Sequence, residues 1–537
     1  MMRMFAGVVL LACLSSAGFT QTAADPVAFE IADVRVSPHR AFPFLEPGSL
    51  RGDRYFIRQA TVVDLIATAY GVDAANVQGG PSWLEMDRFD IVAKAPLQTP
   101  SATLKLMLQA LLAERFGVVM HKGSVPMPAY VLSGPKGKPK MKQSEGSGES
   151  HCDFVPPPSN LPADAIFPNE FTCRSMTMDE FADSVHQWAG GYLTEPVVNS
   201  TELEGSWDFD IKWTSRGQLA RAGADGISIF DAVEKQLGLK LELLTAPRPV
   251  WIIDSVNEKP TPNVPDIEKR LPPPPAPQFD VAVIKPSNPD TTGINGNVNG
   301  GIVDLKGATL KFMIAFAWGL NPNDSEVIVG GPKWLDVDRF DIMAKVTSDA
   351  LGGAKPRIFQ EELQLMLQAL LIERFKIQSH TEDRPITAYT LLAGTPKMKA
   401  ADPASRTRCK EGPGLDGKDP RIASPVLNRL LTCQNMTTAQ ISEELQHVAG
   451  GYIYGPVLDS TGIKGSFDFT LSFSSVDLTR ASAAGSGASG ANGSSDPNGA
   501  LSLFDAVNKQ LGLKLEKQRR PVPVLVIDHV DEKPTEN

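Results

Sequence analysis

The chain is one unit written twice, and this restricts its fold more than any other feature. Phe29-Glu30-Ile31-Ala32 returns as Phe279-Asp280-Val281-Ala282. Gly80-Pro81-Ser82-Trp83-Leu84-Glu85-Met86-Asp87-Arg88-Phe89-Asp90-Ile91 returns as Gly331-Pro332-Lys333-Trp334-Leu335-Asp336-Val337-Asp338-Arg339-Phe340-Asp341-Ile342. Leu106 to Leu112 recurs unchanged at Leu365 to Leu371, and both stretches run on to Glu-Arg-Phe at Glu114 to Phe116 and Glu373 to Phe375. Lys235 to Glu242 is repeated identically from Lys509 to Glu516. The offset between matching residues grows from 250 at Phe29 to 274 at Ser228, so insertions sit in loops of the second copy. Two copies are too few for a solenoid, so each must bury a core of its own.

The length allows this. At roughly 150 residues per domain, 537 residues predict three or four domains. Hydrophobic residues make up 42% and charged residues 21%, enough for cores and against general disorder. The net charge of −10 removes the basic field that non-specific nucleic-acid binding needs, so no nucleic-acid partner is expected.

Residues 1–24 read as an export signal: Arg3, an apolar run from Phe5 to Cys13, then Ser15, Ser16, Ala17 and Gly18. The run is shorter than the roughly 18–20 residues that cross a bilayer, and no other stretch is a span candidate. Cleavage between about Gly18 and Ala24 would release a soluble periplasmic or secreted protein. The alternative is a lipobox, Leu10-Leu11-Ala12-Cys13, leaving a lipid anchor on Cys13. The other four cysteines form two local pairs, with 20 and 23 residues between partners. In an oxidising compartment they predict disulfides Cys152–Cys173 and Cys409–Cys433.

The first copy is placed at 27–257 and the second at 279–533. Between them, 258–278 carries eight prolines, including Pro272 to Pro275 in a row. Such a stretch favours polyproline II and predicts a semi-rigid spacer holding the copies apart. Within each copy, strands and helices alternate. Thr61 with Asp64, Thr177 with Glu180 and Thr437 with Gln440 predict helix starts through capping boxes, and Gly71 a helix end. The expected fold class is α+β, a tandem duplication in which each copy is two small subunits with two helices on a short mixed sheet.

The Gly80–Ile91 signature, the Leu-Met-Leu-Gln-Ala-Leu-Leu helix, Pro456-Val457-Leu458-Asp459-Ser460-Thr461-Gly462 and Val526-Ile527-Asp528-His529-Val530 resemble an exported soil-bacterial family of unknown function, abundant in acidobacteria. The resemblance covers nearly all of both copies. Some members are fused to a BlaR-type membrane metallopeptidase, which implies a sensing or envelope role.

Standard catalytic signatures are missing from the sequence: Gly-x-Ser-x-Gly, His-Glu-x-x-His, Cys-x-x-Cys and a Gly-Lys-Ser/Thr phosphate loop. Gly485 to Gly490 spells Gly-x-Gly-x-x-Gly, but inside a low-complexity stretch without a counterpart in the first copy. Chemistry used by both copies should recur at matching positions. Among histidines only His121 and His380 do, and a lone histidine at a strand start is more often structural. Asp87 with Asp90, and Asp338 with Asp341, offer paired carboxylates for a hydrolase, though Arg88 and Arg339 between them favour ion pairing. Trp83 and Trp334 follow Gly-Pro turns and, with Arg88 and Arg339, are the binding candidates, against a simpler role as buried anchors. No catalytic, metal or cofactor residue is assigned and no cofactor is expected. The reading is an exported, non-enzymatic tandem protein that binds a protein, glycan or other envelope component, with avidity if both copies grip one target. The alternatives are an extracellular polymer hydrolase and a sensory partner of a membrane metallopeptidase.

Overall fold

The computed structural model describes residues 27–536 except 41–42, 135–136, 146–147, 159–164, 273–277, 347–357, 415–416 and 481–498. The export signal, Cys13 and the Gly485–Gly490 motif lie outside the described residues.

Among the described residues each copy holds three four-stranded sheets rather than two. In the first copy the strands are β1 (Ile31–Val36), β2 (Glu46–Arg51), β3 (Arg54–Thr61), β4 (Val77–Gly79), β5 (Arg88–Lys94), β6 (Val119–Ser133), β7 (Lys142–Gln143), β8 (His151–Phe154), β9 (Pro168–Met176), β10 (Val197–Ser200), β11 (Trp207–Thr214) and β12 (Lys240–Ser255). The helices are α1 (Val62–Tyr70), α2 (Ser101–Phe116), α3 (Met178–Trp188), α4 (Arg216–Ala222) and α5 (Ile229–Ala232). One antiparallel sheet has the order β1-β5-β3-β2 and another the order β7-β11-β9-β8. These orders correspond strand for strand, so each copy is two half-units of one topology. The third sheet, β10-β6-β12-β4, is the mixed one and joins the half-units. The long β6–β12 ribbon is antiparallel, β10 adds to β6 in parallel, and β4 adds to β12 in parallel. Each half-unit therefore ends in a strand that takes the other's short strand as its neighbour.

The expected two subunits per copy are thus two lobes sharing a ribbon. One end of the ribbon enters the first lobe's core, where Ile253 packs with Ile57, Leu65, Phe89 and Phe116. The other end supplies Tyr130, Leu132 and Leu241 to a second core with Phe181, Trp213 and Leu237. Between the two cores both ribbon strands are edges, which is where proline is tolerated: Pro126 faces Pro247, and in the second copy Pro385 faces Pro521. The second copy repeats the arrangement with sheets of the same three kinds.

The capping boxes at Thr61, Thr177 and Thr437 are formed, and Gly71 closes α1 in the left-handed region at φ 64°. Cys152 is bonded to Cys173 across β8 and β9, and Cys409 to Cys433 across the equivalent pair. Among the described residues no helix is long and apolar enough to cross a membrane.

The expectation that a proline spacer holds the copies apart is overturned on two counts. The first half of the 258–278 segment is docked. Asn257 and Thr261 N–H donate to the carbonyls of Phe116 and Arg115, and Asn263 accepts from Val34 N–H at 3.0 Å. Arg115 reaches over the end of α2 and donates from Nε to the Thr261 carbonyl at 3.0 Å. Arg374 does the same for the second copy's tail, donating to the Glu536 carbonyl at 2.6 Å. The repeated Glu-Arg-Phe motif is therefore a tail clasp.

Second, the copies pack on each other through charged contacts. Arg40 and Arg58 pair with Glu361, Arg58 at 3.0 Å, and Arg51 grips Glu362. Arg406 of the second copy donates to the carbonyls of Val77 at 2.9 Å and Gly79 at 2.6 Å and to Glu85 at 2.7 Å. Lys410 pairs with Glu195, a buried carboxylate also faced by Arg248 at 3.4 Å.

Candidate functional site

The residues that the repeat singles out resolve first into a backbone device. In all four half-units the strand before the first helix carries a bulge, and the bulged residue has positive φ: Gln59 at 53°, Ser175 at 52°, Gly307 at 70° and Asn435 at 51°. Each stands two residues before a threonine helix cap. Each donates its N–H to an aspartate on the neighbouring strand: Asp90 at 2.9 Å, Asp208 at 2.9 Å, Asp341 at 3.0 Å and Asp468 at 2.9 Å. Hydroxyls of Ser37, Ser144 and Ser287 complete three of these clamps, and Ala401 stands where the fourth serine would be. Burial works against ionisation of Asp341, but the Ser287 hydroxyl and the Gly307 N–H hold its carboxyl below the ordinary range.

Arg88 and Arg339 belong to the same clamp. Arg88 donates to the Gln59 carbonyl at 2.6 Å, and Arg339 to the Gly307 carbonyl. The side chains of Asp90 and Asp341 thus hold bulge amides. Trp83 and Trp334 each pack against their own lobe's core. His121 and His380 sit on the ribbons, exposed, each 2.9 Å from an aspartate, Asp254 and Asp528. Among the described residues no group of three or more His, Cys, Asp or Glu is arranged to hold a metal.

The concave surface lies where the copies meet. A cleft of about 770 Å³ runs between the first copy's first lobe and the second copy's second lobe. On one wall are Glu85, Asp87, Arg88 and Glu258; on the other are Arg408 and Glu443, the latter exposed on the helix Thr438–Val448. Burial and the nearby Glu258 push the Asp87 carboxyl up, and burial pushes the Arg88 guanidinium down. His39, Arg40 and Gln59 also line a second cavity of about 490 Å³, so the two hollows share one rim. That cavity holds Glu46, Phe316, Trp318 and Glu361. Glu46 is almost fully buried, and desolvation pushes its carboxyl up to about 7 despite Arg58, with Glu361 and Glu362 adding to the rise.

The family described as a protein of unknown function (DUF3738) matches residues 63–256 and 311–530, most of the chain in two segments. The chain belongs to this family and carries it twice. No curated protein matches the chain, and no solved structure does. Of the sequence candidates, Asp87 and Arg88 reach the inter-copy cleft; Trp83, Trp334 and Arg339 line neither hollow. The cleft was invisible in a single DUF3738 copy because each copy supplies one of its two walls. One signal did exist: the second copy opens its long helix with Gln360-Glu361-Glu362, where the first has Ser101-Ala102-Thr103.

Proposed function

We propose that the chain is an exported, non-enzymatic binding protein whose two copies work as one body, holding a protein or other envelope component in the cleft between them. The observation that carries this reading is the cleft itself: about 770 Å³, formed only when the copies pack, and lined by charged groups of both. Concave sites at domain interfaces are the usual place for ligands. The binding reading is favoured over the hydrolase alternative because Asp90 and Asp341, one carboxylate of each candidate pair, are engaged by the bulge amides. Export remains part of the proposal, supported by the signal-like N-terminus and by two disulfides, which persist in oxidising compartments.

The test places a photo-crosslinking residue at Glu443, on the cleft wall, or at Leu244, exposed on the ribbon, in the full chain in its native cells. One reproducible envelope partner captured from position 443 and not from 244 is the expected result. Equal capture from both positions, or turnover of a polymer by the purified chain, would sink it.

A further inference from the structure

A third hollow, of about 370 Å³, lies at the seam between the copies' second lobes. The first copy contributes Gly190, Gly191, Thr194, Arg216 and Gly217; the second contributes Glu411, Arg421 and Asn428. We propose that it binds a small oxyanion, a carboxylate or phosphate, between Arg216 and Arg421.

Charge is the first ground. Arg421 and Arg216 are 3% and 7% exposed, and the Asp419 carboxylate between them is fully buried. Arg421 occupies that carboxylate with two bonds, Nε at 2.8 Å and Nη2 at 2.9 Å. Arg216 comes no nearer to it than 3.9 Å. Two guanidiniums share one carboxylate, so a positive charge is left over in a desolvated place, where an unpaired charge is costly. Glu411 at the rim is engaged by Arg429 at 3.0 and 3.3 Å. Tyr130 and Tyr192 are the other titratable groups nearby; Arg216 lies over the Tyr192 ring at 4.7 Å, which leaves the edge of its fork free. Burial and Arg421 both push the Arg216 guanidinium down.

An unused donor is the second ground. Arg216 Nε is buried with no hydrogen-bond partner among the described residues, and the buried Thr194 hydroxyl faces the Tyr130 hydroxyl. Arg216 and Thr194 belong to the lining of the hollow, and a buried donor left unpaired costs stability unless something else accepts from it. A planar guanidinium fork with a hydroxyl beside it matches the lone pairs of an oxyanion.

The third ground is internal. The second copy repeats this stretch with Val476 in place of Arg216 and Tyr454 in place of Thr194. The same turn then packs Val476 against Gly451, where a Cβ on that glycine would come within 3.0 Å of it. The fold needs an apolar filler there, not a guanidinium, so the arginine serves something other than the fold.

The experiment uses the full chain, titrated with inorganic phosphate in one arm and malonate in the other. Sodium chloride matches ionic strength, and both calorimetry and melting temperature are read. Saturable binding with a raised melting temperature in at least one arm is expected, and the arm that binds tells phosphate from carboxylate. Arg216→Val should weaken that binding at least tenfold while leaving the melting temperature without anion unchanged or higher. If Arg216→Val does not fold, Thr194→Val is read instead, with an expected loss of at least threefold. No binding of either anion by the wild type, or equal binding by the variant, overturns the proposal.

Discussion

The Asp-Arg-Phe-Asp signature illustrates how a run of titratable side chains can be spent on the backbone. A bulge with positive φ is cheap for glycine and costs other residues roughly 1–2 kcal/mol. Here Gly307 occupies one bulge, and Gln59, Ser175 and Asn435 occupy the others, each with its amide held by an aspartate. Gln59 is further held by its own side chain, which donates to the Pro38 carbonyl at 3.1 Å. A Cβ on Gly307 would sit 2.2 Å from the Gly293 carbonyl oxygen, a backbone atom that cannot swing away. Gly307→Ala is therefore expected to destabilise by more than about 2 kcal/mol, from strain and overlap together. Gln59→Gly should stay within about 1 kcal/mol of wild type, since relief of the left-handed conformation offsets lost side-chain bonds and added chain entropy. Denaturant midpoints of the two variants check this. A tolerated Gly307→Ala would refute the account of the signature as a bulge clamp.

At the scale of elements, the sequence disclosed what local chemistry dictates. Capping boxes placed α1, α3 and the helix from Thr438, and the repeated Leu-Met-Leu-Gln-Ala-Leu-Leu motif marked α2. The ribbon escaped because β6 and β12 are exposed over their middle turns and contain Pro126, Pro128, Pro247 and Pro249, residues that normally count against a strand. The half-unit duplication escaped because its shared features are a bulge, a cap and a clamp aspartate, too few and too scattered to align by eye. The helix Gln360–Phe375 shows what composition alone cannot tell. Its first turn carries Glu361 and Glu362, favourable beside a helix N-terminus, yet they face Arg40, Arg51 and Arg58 of the other copy. Glu46 is buried against the same turn, with its carboxyl pushed up to about 7. A carboxyl raised in the folded state binds its proton more tightly there than in the unfolded chain. Its stabilising contribution is complete below the unfolded value and is lost as pH rises towards 7. A rise of that size corresponds to roughly 3 kcal/mol at most. Wild type should thus lose stability relative to Glu46→Gln between pH 5 and pH 7.5, followed by thermal melts of both proteins. Parallel curves for the two proteins across that range would place the pH dependence elsewhere.

For the whole molecule, packing changes what duplication is good for. Copies on a free spacer would bind as two linked modules, and their advantage would be avidity. Copies fixed to each other instead create surfaces that neither has alone, the cleft at Arg88 and the hollow at Arg216 among them. The contacts at the acidic helix start are directional. Arg51 and Arg58 on the first copy's sheet, with Arg40 beside it, meet acids on the second copy's helix, while Asn295 to Asn299, the second copy's counterpart of β2, carries no charge and is exposed. Glu195, 3% exposed, takes Lys410 from across the seam, and its repeat counterpart is Gly455. Reversing charge at the acidic helix start sets like charges against Arg40, Arg51 and Arg58 across the seam. Partly buried like-charge contacts are costly, whereas the four cores lie within the copies and do not depend on these residues. The double variant Glu361→Lys, Glu362→Lys should keep the far-ultraviolet circular dichroism of the wild type. In small-angle X-ray scattering its radius of gyration should rise by several Å, and the photo-crosslink at position 443 should be lost with it. If the radius of gyration stays at the wild-type value, the acidic pair does not hold the copies together. If the copies part and the crosslink persists, a single wall is enough to bind, and the cleft is not the site.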